Sequence, residues 1–229
     1  MLEGDFTSLD LVNVFSDRCY IIGRGLNLSA QENFREAQML AKQKDQEREE
    51  AMKKGDDAIK KLGLMHGVPI SVKDSIYQKG KLATFGLAYL CDELALTDSV
   101  LLKLFLVEGA IPIVRGNTSQ GPFGMHSSNN VFGEAVNPFD FLRTCGGSSG
   151  GDAGLVASKC VPFSICDDTC GGIIVPAAFC GVYGFKPTTG RVTNRGIGCA
   201  RDNRFDEFNH VPPVPGPIGT SVNDLVIGF

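Results

Sequence analysis

Residues 146–165 read GGSSGGDAGLVASKCVPFSI, a bare loop, a helical segment and a strand in immediate succession. Gly146-Gly147-Ser148-Ser149-Gly150-Gly151 has almost no side-chain bulk, two hydroxyls and many open backbone N–H groups. Asp152 to Lys159 then carries apolar residues at helical spacing, and Val161 to Ile165 is a short apolar run suited to a buried strand. Further out, Val68 to Val72 and Ile111 to Val114 read as buried strands, and Ser99 to Glu108 between them as a helix. Strands alternating with helices predict an α/β fold with a mixed, mostly parallel sheet flanked by helices. Nineteen of the 28 glycines fall between positions 109 and 219, which places tight turns and close backbone approaches, and therefore a site, in this part of the chain.

The first 62 residues have a different texture. Thr7 with Asp10 has the spacing of a helix cap, and Leu11, Val14, Phe15 and Cys19 continue one apolar stripe up to Gly23 and Gly25. Ser29 with Glu32 has the same spacing and predicts a second helix start, followed by an apolar face of Phe34, Ala37, Leu40 and Ala41. Lys42 to Lys61 mixes charges of both signs and reads as a solvated helix extension with a loop at Gly55. The expected division is 1–62, a helical segment packing on the core, and 63–229, the α/β core. Val211 to Ile218 carries four prolines and reads as a tail, after which Ser221 to Leu225 begins a further helix.

Composition narrows the class. The 229 residues carry 22 basic and 26 acidic side chains, a formal net charge of -4, so the basic footprint of a nucleic-acid binder is absent. No stretch approaches the length of apolar sequence that spans a bilayer, so no transmembrane segment is expected. The start, MLEGDFTSLDLV, lacks a basic or apolar leader. Eight cysteines without a C-x-x-C pair suit an intracellular, reducing compartment, with the cytoplasm as the default. Cys166 and Cys170 stand four apart, with only His66, His126 and His210 in the chain, so no metal site and no cofactor is expected.

Three segments carry candidate chemistry. The Gly/Ser loop fits neither a dinucleotide fingerprint nor a phosphate-binding P-loop, and its apolar flanks argue against a surface linker. Lys73 closes the run VPISV. Taken alone it reads as an exposed strand end, the alternative being a lysine held inside a site by hydroxyls. In Cys166-Asp167-Asp168-Thr169-Cys170-Gly171-Gly172-Ile173-Ile174-Val175-Pro176, the paired glycines can expose a row of backbone N–H groups of the kind an oxyanion hole uses, but no nucleophile stands beside them.

The blocks HGVPISVKDSIYQKG from His66, TDSVLLKLFLVEGAIPIVRGN from Thr97, NPFDFLRTCGGSSGGDAGLVAS from Asn137, GGIIVPAAFCGVYGFKPTTGRV from Gly171 and GPIGTSVNDL from Gly216 resemble the amidase signature family, and within it the fatty acid amide hydrolase branch. The resemblance implies an amidase-signature fold of which the C-terminal half is missing, and a Ser-Ser-Lys device that acts on amide carbonyls. Its lysine falls on Lys73 and its bridging serine, preceded by a cis peptide bond, on Ser148, with Ser149 as the neighbouring structural serine. The oxyanion-hole amides fall on Thr169, Cys170, Gly171 and Gly172. The nucleophilic serine falls on Gly172, an arginine two residues further on falls on Ile174, and the usual Gly-Thr pair is replaced by Cys166-Asp167. Lys73 and Ser148 are then a vestigial relay with no hydroxyl to activate. Ser149 or Cys170 could attack instead, but the Cys170 side chain would have to point into the pocket where the family uses only a backbone amide.

Three functions follow from the resemblance: an inactive amidase-like subunit of a larger assembly, an amide hydrolase with residual or unconventional activity, or a module that binds an acyl or amide group without turnover. The strands, apolar on both faces, require cover that half a core lacks. Another polypeptide against the open sheet edge is therefore expected, whether an assembly subunit, a separate second half or a second copy. Ciliary and mitochondrial assemblies are further possible settings.

Overall fold

The computed structural model describes residues 6–197 and 212–229. Cys199, His210 and Val211, the first residue of the proline-rich tail, lie outside them.

The chain opens with α1 (Ser8–Arg18), capped reciprocally as expected: Asp10 N–H donates to Thr7 Oγ1 at 3.0 Å and Thr7 N–H to Asp10 Oδ2 at 2.9 Å. A π-helical turn, Cys19–Gly23, continues it. Then come β1 (Ser29–Glu32), α2 (Phe34–Lys54), the short α3 (Asp56–Ile59), β2 (Pro69–Lys73), α4 (Val100–Val107) and β3 (Ile111–Gly116). A two-stranded ribbon of β4 (Ser128–Asn129) and β5 (Gly133–Glu134) precedes α5 (Gly150–Ala157), β6 (Phe163–Asp168), α6 (Ile174–Cys180), β7 (Tyr183–Gly184), β8 (Val214–Gly219) and α7 (Val222–Ile227).

The main sheet has the order β1-β3-β2-β6-β8-β7. Its central strands β3, β2 and β6 are parallel, with Ile70 opposite Phe163 and Lys73 opposite Gly116, while β1, β8 and β7 join antiparallel. The period of two along β2 divides its neighbours between the faces. Ile70 and Val72 enter one core with Leu102 and Phe105 of α4, whereas Ser71 and Lys73 turn toward α5. The other core holds Val12, Ala37, Ala41, Leu155 and Val156, so α1, α2 and α5 share it.

Three expectations for local structure change. Ser29 and Glu32 do not start a helix. The two side chains meet at 3.3 Å, but their segment pairs with β3, with Ser29 opposite Gly116 and Glu32 opposite Val114, and α2 starts only at Phe34. The capping spacing recurs here by tertiary override, because the sheet uses backbone groups that a helix cap would otherwise take. The charged stretch after Lys42 is not solvated throughout. Arg48 is buried, and Asp45 accepts the N–H groups of Ser8 at 2.7 Å and Leu9 at 3.0 Å, capping α1 from a neighbouring helix.

The third change is the proline-rich tail, which forms β8. Phe185 N–H donates to the Pro217 carbonyl, so that residue faces β7, and its missing N–H falls on the same side. The alternate residues, Val214, Gly216 and Ile218, face β6, so the ladder there loses no donor to proline.

Candidate functional site

Lys73, the last residue of β2, is wholly buried, not an exposed strand end. Its Nζ donates to Ser148 Oγ at 2.7 Å and to the Asp167 carbonyl at 3.1 Å, and it lies 3.0 Å from Asp167 Oδ1. Ser75 Oγ donates to that same Asp167 oxygen. Lysine, two serines and a carboxylate thus form one continuous cluster where β2 and β6 end side by side.

Ser148 sits in the Gly/Ser loop after a cis Gly147–Ser148 peptide bond. Its carbonyl accepts Thr118 Oγ1 at 2.9 Å and Ser127 Oγ at 3.0 Å, and Ser127 Oγ in turn accepts the Gly150 N–H at 2.7 Å. Gly151 explains the missing side chains: a Cβ there would lie 2.2 Å from the Asn117 nitrogen. The loop enters α5 through Gly146, Gly147, Ser149, Gly150 and Gly151, and Ser149 N–H donates to the Gly172 carbonyl at 3.1 Å. That bond joins the Gly/Ser loop to the loop after β6. Ser149 itself is fully buried beside the Cys166 thiol.

Asp168 organises the segment from 169 to 174. Its carboxylate accepts the N–H groups of Gly171 at 2.7 Å, Ile173 at 2.8 Å and Ile174 at 3.2 Å. Of the four amides expected to line an oxyanion hole, that of Gly171 is therefore engaged, while those of Thr169, Cys170 and Gly172 meet no acceptor among the described residues. Cys170 is exposed. Gly172 lies against the buried cluster: a Cβ built on it would stand 2.9 Å from Ser148 Oγ and 2.7 Å from the Asp167 carbonyl oxygen.

Two further charged groups frame the cluster. Asp152 of α5 accepts Ser71 Oγ and Ser164 Oγ, each at 2.9 Å, while its second oxygen has no partner among the described residues. Burial pushes its carboxyl up to about 6 against those bonds and the nearby Lys73. Arg115 of β3 lies under the turn after Lys73. Its Nη2 donates to the carbonyls of Asp74 at 2.7 Å, Ile76 at 2.8 Å and Lys73 at 3.3 Å. Asp74, 3.8 Å from Arg115 Nε, accepts Thr84 Oγ1 at 2.9 Å and the Phe85 N–H at 2.6 Å, and burial raises its carboxyl. A fixed turn is thus built from two buried, oppositely charged groups.

Asp167, Thr118, Ser127 and Arg115 escape sequence reasoning as site members. For Arg115 there is a signal, a lone cation ending the apolar run IPIV. For Asp167 the signal is the replacement of the family's usual Gly-Thr pair by Cys166-Asp167, and for Thr118 and Ser127 it is only a polar residue between short strands. No group of His, Cys, Asp and Glu able to hold a metal occurs among the described residues.

A Lys–Ser pair at hydrogen-bond distance, reached through a Gly/Ser loop and facing a glycine-paired loop with open amides, agrees with the resemblance drawn from the sequence blocks, and the family model described as Amidase matches residues 10–229. The chain belongs to the amidase signature family. It is 36% identical over 192 residues to a glutamyl-tRNA(Gln) amidotransferase subunit of Protochlamydia amoebophila (strain UWE25), covering 84% of this chain and 36% of the relative. It is 38% identical over 135 residues to fatty-acid amide hydrolase 1 of Sus scrofa, covering 59% of this chain and 23% of the relative. Among solved structures, a fatty acid amide hydrolase superposes with a TM-score of 0.89 at 27% identity, over 99% of this chain and 38% of that one. Native peptide amidase from Stenotrophomonas maltophilia gives 0.84 at 27% identity, over 98% and 44%. This amidase-family chain therefore spans less than half the length of these relatives.

Proposed function

We propose that this chain is an amidase-family protein that does not turn over amides by the serine mechanism and that serves as a structural subunit of a protein assembly. The observation that carries the reading is Gly172. The position facing Ser148 and Lys73, where the family resemblance puts the attacking serine, has no side chain. Acyl transfer needs a hydroxyl at that spot whose proton leaves through Ser148. Ser149 does not substitute for it, because it is buried against Cys166, and the Cys170 side chain is exposed to solvent. The relatives named as an amide hydrolase and an amidotransferase support amide carbonyls as the ancestral substrate class.

The partner argument rests on one face. Leu64, Leu104, Phe105, Val226, Ile227 and Phe229 line an apolar groove of about 660 Å³ between α4 and α7. Of its lining, Leu64 is 79% and Leu104 56% exposed, and contiguous exposed apolar side chains of this kind mark an interaction face. A polypeptide that completes the sheet side would cover this groove.

The test is a reactive fluorophosphonate probe together with a turnover assay on a fatty acid amide and on a primary amide. No labelling and no turnover is the expected result. Stoichiometric labelling of Ser148, Ser149 or Cys170 would defeat the reading.

A further inference from the structure

Asp167 occupies a place that the loss of a nucleophile does not explain. It is 5% exposed, its Oδ1 lies 3.0 Å from Lys73 Nζ, and Ser75 Oγ donates to the same oxygen. Lys73 spends its donors on Ser148 Oγ and on the Asp167 carbonyl as well. A lysine can relay a proton as a base only with its nitrogen lone pair free, and an ammonium paired with a carboxylate has none. Separating the two charges would leave each buried and unpaired, which is costly. The other ionisable groups facing Lys73 are Asp152 of α5 and the Cys166 thiol of β6, neither in direct contact with Nζ.

We propose that Asp167 is a positioning residue that holds Lys73 as a paired ammonium donating to Ser148, so that the relay is closed to proton transfer independently of Gly172. The inference rests on the reading of Gly172 as the vacant nucleophile position, and it deepens that reading: the site carries two blocks, one at the nucleophile and one at the base. Restoring a hydroxyl alone then leaves a serine whose proton has no acceptor.

The experiment compares phosphonylation by a fluorophosphonate, in which the serine oxygen bonds to phosphorus and fluoride leaves, for the full chain and for its Gly172→Ser and Gly172→Ser/Asp167→Asn variants at pH 8. The expected result is that the double variant is phosphonylated faster than the single one by on the order of 10²-fold, the usual contribution of a general base. Equal rates, including no reaction in either, overturn the proposal. Labelling of the unsubstituted chain overturns the proposed function instead, so the two failures are distinct. If the double variant does not fold, the unsubstituted chain decides by ¹⁵N-resolved NMR of its lysine side chains. A Lys73 ammonium resonance protected from solvent exchange at pH 8 is expected, and its absence in the folded chain rejects the pairing.

Discussion

Gly172 and Asp152 show how single side chains set the state of the cluster. A serine at position 172 would place its Cβ 2.7 Å from the Asp167 carbonyl oxygen, closer than real Cβ atoms approach, so the loop after β6 must shift to admit it. Gly172→Ser is therefore expected to lower stability by about 1–3 kcal/mol, as overpacking does, measured by urea unfolding. An unchanged midpoint would mean that the loop relaxes freely. Asp152 titrates at about 6 in the folded chain because burial disfavours its charge, and its ordinary value is 3.8. A raised carboxyl binds more protons folded than unfolded, so its contribution is fully present below pH 3.8 and is lost as pH rises through about 6. The stability difference between wild type and Asp152→Asn should thus move in favour of wild type by about 3 kcal/mol from pH 8 to pH 3.5, whatever its constant offset. A difference that stays flat across that range would place the carboxyl's titration near its ordinary value.

At the scale of elements, β2 and β3 act as one unit. Lys73 is presented by a turn whose carbonyls are tied to Arg115, and Arg115 is itself balanced by Asp74. Replacing Arg115 by methionine keeps most of the volume but leaves the Asp74 carboxylate and three carbonyls without their cation. A loss of about 3–5 kcal/mol is expected, the cost of breaking a buried pair from one side, read from chemical unfolding. The companion Arg115→Met/Asp74→Leu, with both charges gone, should recover part of it. Recovery of nothing would show that the carbonyl contacts outweigh the ion pair. The strand-turn-helix alternation from Gly63 onward was legible from apolar runs and Gly positions, because those signals are local. The strand nature of Ser29–Glu32 and of Val214–Gly219 was not, because each depends on a neighbour far away in sequence: β3 for the first, β6 and β7 for the second.

For the whole molecule, the consequential surface is the groove between α4 and α7. The exposed side chains Leu104, Val226 and Ile227 lie on helices whose inner faces are already packed, and Phe229 follows α7 after Gly228. Sedimentation of the purified chain over a range of concentration should reveal self-association through this face in the absence of a partner, and Leu104→Glu/Val226→Glu should return it to a 24.5 kDa particle. A wild-type chain that stays monomeric at millimolar concentration would show that the groove needs no cover. No helix among the described residues is long and apolar enough to cross a membrane.

The sequence by itself determined the α/β class, the cap of the first helix, the start of the last one, the Gly/Ser loop at the head of α5 and the candidate positions Lys73, Ser148 and Gly172. Each of these rests on local chemistry or on residue blocks, which survive in one dimension. Only the tertiary structure decided that Lys73 is buried, that Asp167 is its counter-ion, that Asp168 takes the Gly171 amide and that Asp45 of a charged helix adds a second set of acceptors to the Thr7 cap of α1. Those facts are pairings between side chains and backbone groups brought together by the sheet. Aspartates at 167 and 168 look alike in sequence, and only their opposite directions at the end of β6 send one to the lysine and the other to the loop.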